Sequence, residues 1–366
     1  MIIVVEDDNV LRLLEVLFKT QLPGERLAAL DDYFAHDSVD LLLWRDSVRL
    51  RAPGLFPSTL KFVSEQHELR SSLRDADAVV VQGLEIGDVE LGAAKSLKVV
   101  CKFGTVTDHI NLAACARHSV RVQTVRRRTN IAVAEHSLAL MLALIKKITT
   151  LNGCVTVERI NAPGRSYRPY DTRHVGHNNY ARQGGLRNLA GLTVGILGMG
   201  EIGREVALRA RAFGLRVIYH QRRRLSPADE SALAASYCAL PELFSAANIV
   251  TLHLPLTRET RGLIGGELLG CMKPGSFLIN TSRAQIVDRR ELIDALKSGG
   301  LDGVALDVQY DEPVRSDDPL LGFENVLLTP HVAGGSRTNL TEDVEEVVLK
   351  VRDGLDKSDG DRDRNG

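Results

Sequence analysis

The sequence predicts an α/β protein of two doubly wound, parallel-sheet domains with a cleft between them. Three observations carry that expectation. Short apolar, β-branched runs recur along the chain with helical patterns between them, which is how parallel strands buried on both faces read. One such run leads into three glycines spaced G-x-G-x-x-G at the mouth of a helix. The 366 residues exceed a typical single domain and suffice for two cores.

In the first part, Met1–Val5, Ala78–Val81, Val99–Cys101 and Val120–Gln123 read as strands separated by helical patterns, so residues 1–130 form one α/β domain. Its opening, MIIVVEDDNVLRLLEVLF, resembles the start of a response-regulator receiver domain, with an acidic pair after the first strand. The likeness stops there. A receiver needs a phosphoacceptor aspartate at the end of a later strand, and LLLWRD ending at Asp46 is a poor candidate, so a shared strand–helix unit accounts for it. Residues 31–67 match no pattern. Ala132–Lys147 is apolar on nearly every side and predicts a deeply buried helix. From Asn152 to Asn188 the chain turns polar and basic without a period and reads as irregular surface. His174 and His177, spaced H-x-x-H within it, lack a helix and further ligands, and read as loop histidines rather than a metal site.

The stretch LTVGILGMGEIGREVALRARAFGLRVIYHQRRR, Leu192 to Arg224, predicts a Rossmann-like strand, turn, helix and strand. Gly198 suits the tight turn, Gly200 lets the backbone approach a pyrophosphate, and Gly203 lets the helix pack close to the strand. The phosphates would rest on the helix N-terminus. An NAD site wants an acid at the end of the second strand, Leu215–Tyr219, to hold the ribose 2′-hydroxyl. His220 and Gln221 stand there instead, followed by Arg222, Arg223 and Arg224. No carboxylate repels a 2′-phosphate and several forked donors await one, so NADP is the preferred cofactor and NAD the second.

Further on, three apolar runs each end in reactive side chains: Ser276–Ile279 before Asn280, Thr281, Ser282 and Arg283; Gly303–Leu306 before Asp307 and Glu312; Asn325–Leu328 before Thr329, Pro330 and His331. Parallel strands would line these ends along one edge, where open α/β sheets bind ligands. An arginine, a glutamate and a histidine would then share one active-site cleft.

Composition narrows the class. A net charge of −1 gives no general attraction to nucleic acid or an anionic membrane, and neither is expected as a partner. Five scattered cysteines, odd in number and without C-x-x-C, suggest reduced thiols and a cytoplasmic setting. The run MIIVV is too short for a signal peptide, and 131–145 carries Glu135 and His136, so no membrane segment is expected.

Several stretches together resemble the D-isomer-specific 2-hydroxyacid dehydrogenases: KFGTVTDHIN at 102–111, AVAEHSLALMLAL at 132–144, GILGMGEIG at 195–203, LHLPLTRET at 252–260, MKPGSFLINTSRAQIVD at 272–288, ALDVQYDEP at 305–313 and TPHVAG at 329–334. The likeness spans about Leu97 to Leu355. It implies that Arg283, Glu312 and His331 are catalytic. It also implies that the cofactor meets Glu201, Ile202, His253, Pro255, Thr260, Thr281, Ser282, Asp307 and Gly334, besides Gly198, Gly200, Gly203, Gln221, Arg222 and Arg223. Substrate contacts would come from Gly104, Thr105, Val106, Arg128 and Arg283. The resemblance further implies a substrate-binding domain of 1–130 completed by 333–355, a dinucleotide-binding domain of 131–332, and a homodimer. Residues 356–366 read as a disordered, charged tail.

The expected chemistry interconverts a small 2-oxo acid and a D-2-hydroxy acid. The nicotinamide exchanges hydride, His331 exchanges the proton, Glu312 fixes the imidazole tautomer and favours its protonated form, and Arg283 grips the carboxylate. Two departures bear on the substrate. Where many relatives have a second glycine in the carboxylate-binding loop, this chain has Gly104-Thr105-Val106. The basic segment Arg126-Arg127-Arg128 suggests an additional anionic group on the substrate. Competing readings are a dinucleotide-sensing corepressor of the C-terminal-binding-protein type and a phosphite- or phosphonate-related dehydrogenase. The missing ribose acid and the lack of a nuclear-type basic segment favour the metabolic enzyme. Formate dehydrogenase resembles a histidine–glutamine pairing, against which Glu312 counts.

Overall fold

The structure is a computed structural model that describes residues 1–161 and 166–360, the last four as backbone. The chain divides into two compact units, Met1–Ile131 with the chain from Gly334 on, and Ala132–Ala333. Both are parallel-sheet α/β units.

In the first unit, β1 (Ile2–Glu6), β2 (Thr59–Val63), β3 (Ala78–Val81), β4 (Val99–Lys102) and β5 (Arg121–Thr124) form one sheet in the order β2-β1-β3-β4-β5. β3 and β4 are buried at every position, whereas β2 at the edge alternates TLKFV between inside and outside. That edge strand lies in the 31–67 stretch that carries no sequence signal. The strand order is the one doubly wound sheets of the flavodoxin class share, which gives the receiver-like opening its structural counterpart. The acids themselves have local tasks. Asp7 accepts from Arg12 at 2.6 and 2.7 Å, Asp8 accepts the N–H groups of Val10 and Leu11, and Asp46 lies on helix Leu41–Arg51 beside Arg45.

The C-terminal helix Thr338–Gly360 completes this unit, burying Val344, Val347, Val348 and Val351 with Ile3, Val5, Val80 and Cys101. It continues through residues 356–360, where a disordered tail was expected, because a docked apolar face carries the last turns along with it. Residues 361–366 lie outside the described residues.

In the second unit, β6 (Thr193–Leu197), β7 (Arg216–His220), β8 (Ala235–Tyr237), β9 (Ile249–Leu252), β10 (Phe277–Asn280), β11 (Gly303–Leu306) and β12 (Val326–Leu328) form a sheet in the order β12-β11-β10-β9-β6-β7-β8. All neighbours are parallel. β6, β9, β10 and β11 are buried throughout, as helices on both faces require. Strand order reverses between β6 and β9, the switch point outside whose carboxyl ends such sheets hold ligands. Helix Arg128–Ile145 carries Ala134, Leu138 and Met141 into this unit's core. Among the described residues no helix is long and apolar enough to cross a membrane.

Candidate active site

The loop after β6 is built around close contacts. Gly198 has a φ of 96°, and a Cβ there would lie 2.5 Å from the carbonyl oxygen of His253, the residue after β9. A Cβ on Gly203 would lie 2.1 Å from the Gly198 oxygen. Around Gly200 the space is open. Two glycines therefore let the turn close, and the third leaves the mouth of helix Glu201–Ala212 clear. No side chain caps that helix at Gly200, and its first turn, with Glu201 and Ile202, forms the positive end of the helix.

At the tip of β7, Gln221 folds back, accepting from Met199 N at 3.1 Å and donating to the Arg223 carbonyl at 2.6 Å. Arg224 is taken by Glu230, at 2.8 and 2.9 Å. Arg222 and Arg223 are exposed and make no side-chain hydrogen bond or ion pair among the described residues. The arginine run thus contains one structural member and two that face solvent.

The carboxyl ends of β10, β11 and β12 bring together the three residues expected to react. Arg283, Glu312 and His331 line one hollow of about 270 Å³, along with Gln285, Gln309 and Tyr310. His331 Nδ1 lies 2.9 and 3.1 Å from the two Glu312 oxygens, and Glu312 also accepts the Gln309 N–H at 3.0 Å. Burial pushes the Glu312 carboxyl up, but the Gln309 N–H, His331 and the nearby Arg283 charge outweigh it and hold the group below its ordinary range. The side chains of His331 and Glu312 stay 46% and 42% exposed, so a small molecule can reach them. Arg283 is exposed too, and its loop is shaped by Asn280, which donates to the Arg283 carbonyl and accepts from Ser282.

Asp307 is wholly buried and fully engaged. It accepts from Thr329 Oγ1 at 2.6 Å and from the backbone N–H groups of Val332 and Ala333 at 3.0 and 2.8 Å. Burial raises its carboxyl, yet these donors together with His136 leave it lowered. It pins the loop in which His331 takes a φ of 55°, a left-handed conformation that a histidine holds only when its surroundings fix it.

Other expected contact residues have local partners. Ser282 bonds to Asn280, Thr281 to Ser137 at 3.0 Å, and Thr260 to the carbonyl of Pro255 at 2.7 Å. His253 Nε2 meets Thr251 Oγ1 at 2.9 Å, while its Nδ1 is buried with no partner among the described residues. That orphaned nitrogen, the open space over Gly200 and the uncapped helix fit a dinucleotide laid across β6 and β9. Gly334, Arg128 and the loop Gly104–Val106 belong to the first unit.

Arg128 departs from the reading of it as a substrate contact. Its guanidinium pairs with Glu342 at 2.7 Å and Glu346 at 3.1 Å, one turn apart on the C-terminal helix, and Asp343 between them accepts the Arg128 N–H at 2.7 Å. The first turn of helix Arg128–Ile145 is thus capped from another helix, and the charge is spent there.

Residues 138–333 match the D-isomer-specific 2-hydroxyacid dehydrogenase NAD-binding domain. The chain belongs to that family. It is 34% identical over 298 residues to a glyoxylate reductase of Aeropyrum pernix, covering 77% of this chain and 85% of that one. A glyoxylate reductase of Korarchaeum cryptofilum is 31% identical over 346 residues, 93% of each chain. A solved structure from Pyrococcus horikoshii OT3 aligns over 97% of this chain and 91% of its own, with a TM-score of 0.54 and 26% identity. The enzyme is accordingly an oxidoreductase of 2-oxo and 2-hydroxy acids that uses a nicotinamide dinucleotide.

Proposed function

We propose that the enzyme interconverts a small 2-oxo acid and its D-2-hydroxy acid, with His331 exchanging the proton and NADP as the preferred cofactor. The observation that carries this reading is the single hollow lined by Arg283, Glu312 and His331. When bound, the dinucleotide supplies or accepts the hydride at the substrate's second carbon. Gly198, Gly200, Gly203 and the first turn of helix Glu201–Ala212 would hold its phosphates. Asp307, its carboxylate occupied, serves by shaping the His331 loop.

Arg283 binds the substrate carboxylate with its planar fork and polarises the neighbouring carbonyl. Glu312, held ionised, accepts from His331 Nδ1–H, which leaves Nε2 to give or take the proton of the substrate oxygen. Glyoxylate, the substrate in the relatives' names, is the first candidate. With Arg128 engaged by Glu342 and Glu346, the extra anionic group suggested by the basic segment draws no support from that residue.

The test is a panel of 2-oxo acids followed by loss of NADPH absorbance, with NADH in parallel. His331→Ala is expected to abolish turnover and Arg283→Lys to raise KM while lowering kcat. Retained turnover in His331→Ala ends the proposal. The solvent-facing Arg222 and Arg223 support NADP: replacing both by alanine should raise KM for NADPH with little effect on NADH, and an equal effect on both cofactors would remove that preference. A homodimer and a cytoplasmic setting remain part of the proposal on the family resemblance and on the five scattered cysteines of the sequence. Light scattering on the eluted enzyme checks the former.

A further inference from the structure

In helix Arg128–Ile145 the polar pair His136 and Ser137 follows the exposed Glu135, and both members of the pair are used at the strand ends. Ser137 bonds to Thr281 after β10. His136 Nε2 lies 3.1 Å from Thr329 Oγ1, after β12, and 3.4 Å from Asp307 Oδ1, after β11. We infer that His136 is a positioning residue for catalysis, holding the His331 loop through Thr329 and Asp307. The inference rests on the proposed role of His331 as proton carrier.

Hydrogen-bond arithmetic fixes the direction of the chain. Thr329 has one hydroxyl proton, and at 2.6 Å it goes to the Asp307 carboxylate, which can only accept. The Thr329 oxygen must then accept from His136, so His136 carries its proton on Nε2. Asp307 in turn accepts from Val332 N and Ala333 N, the two peptide groups that follow His331. The His331 N–H also bonds to the Thr329 carbonyl at 3.0 Å, so both edges of the left-handed residue are tied to Thr329 or Asp307. Remove the donor at 136 and the Thr329 hydroxyl keeps only its bond to Asp307, which loosens one of the supports of the left-handed His331 conformation. Among the described residues His136 makes no hydrogen bond or ion pair with Arg283, Glu312 or His331, so its effect travels through Thr329 and Asp307.

Three variants and their combination test it. His136→Leu removes the donor, Thr329→Val removes the hydroxyl at nearly constant shape, and His136→Gln keeps an N–H donor. In His136→Leu and Thr329→Val, kcat for the preferred 2-oxo acid should fall by roughly ten- to a hundredfold with KM near wild type, because the proton carrier is displaced while substrate binding persists. His136→Gln should recover most of kcat. The double variant His136→Leu/Thr329→Val should be no slower than Thr329→Val alone, since both cut the same chain. A wild-type kcat in His136→Leu, equal damage from His136→Gln, or a double variant showing the product of the two losses would overturn the inference. If His136→Leu does not fold, Thr329→Val and His136→Gln decide alone: loss in the first with activity in the second supports it, and the reverse refutes it. His331→Ala separates the two levels. Turnover surviving there removes the proton-carrier reading, whereas turnover lost there but intact in Thr329→Val removes only the role of His136.

Discussion

His253 sits where the loops after β6 and β9 meet, and burial lowers its imidazole from an ordinary 6.5 to about 3. Between those values the unfolded chain binds a proton that the folded chain does not. Its contribution to stability is therefore complete above 6.5 and is lost as pH falls toward 3. Urea midpoints of the cofactor-free enzyme should drop more steeply from pH 7 to pH 5 than those of His253→Gln, and parallel curves would contradict this. The convergence of Arg283, Glu312 and His331 on one hollow was legible because each follows an apolar run at a predictable place. Arg128 was not: its partners lie more than two hundred residues away, and a basic run looks the same whether it faces a substrate or a carboxylate. His136 and Ser137 left a usable sign, since polar residues at or near the buried face of a helix must find partners.

At the level of elements, the strand–turn–helix after Thr193 makes a prediction that separates packing from binding. Gly203→Ala drives a methyl against the Gly198 carbonyl at 2.1 Å and should cost about 1–3 kcal/mol of stability along with cofactor affinity. Gly200→Ala meets nothing in the folded chain, so it should weaken dinucleotide binding while leaving the cofactor-free melting temperature nearly unchanged. Calorimetry with and without NADPH distinguishes the two, and equal loss of stability in both variants would refute the assignment. Three central strands, Ala78–Val81, Thr193–Leu197 and Gly303–Leu306, were readable from sequence to the residue because burial on both faces leaves an apolar run, whereas β9, equally central and buried, was missed. So were β2 and β8. β8 is only three residues long, and Lys61 in the middle of β2 interrupts any such run.

For the molecule as a whole, a ligand that binds only the folded second unit stabilises that unit by mass action. At a hundredfold excess over Kd, NADPH should contribute about 2.7 kcal/mol and raise the melting temperature by roughly 5–10 °C. NADH should shift it less, and no shift with either would speak against the dinucleotide site.

The first unit draws its core from both ends of the chain. Val344, Val347, Val348 and Val351 close over Ile3, Val5 and Val80, and Asp343 caps a helix that begins at Arg128. On a ribosome, then, the earliest-made strands wait with their apolar faces uncovered while everything downstream is synthesised. The second unit, contiguous from Ala132 to Ala333, has its whole sequence in hand sooner. A chain cut short before the final helix leaves Ile3, Val5 and Val80 without their apolar cover and should be prone to aggregate.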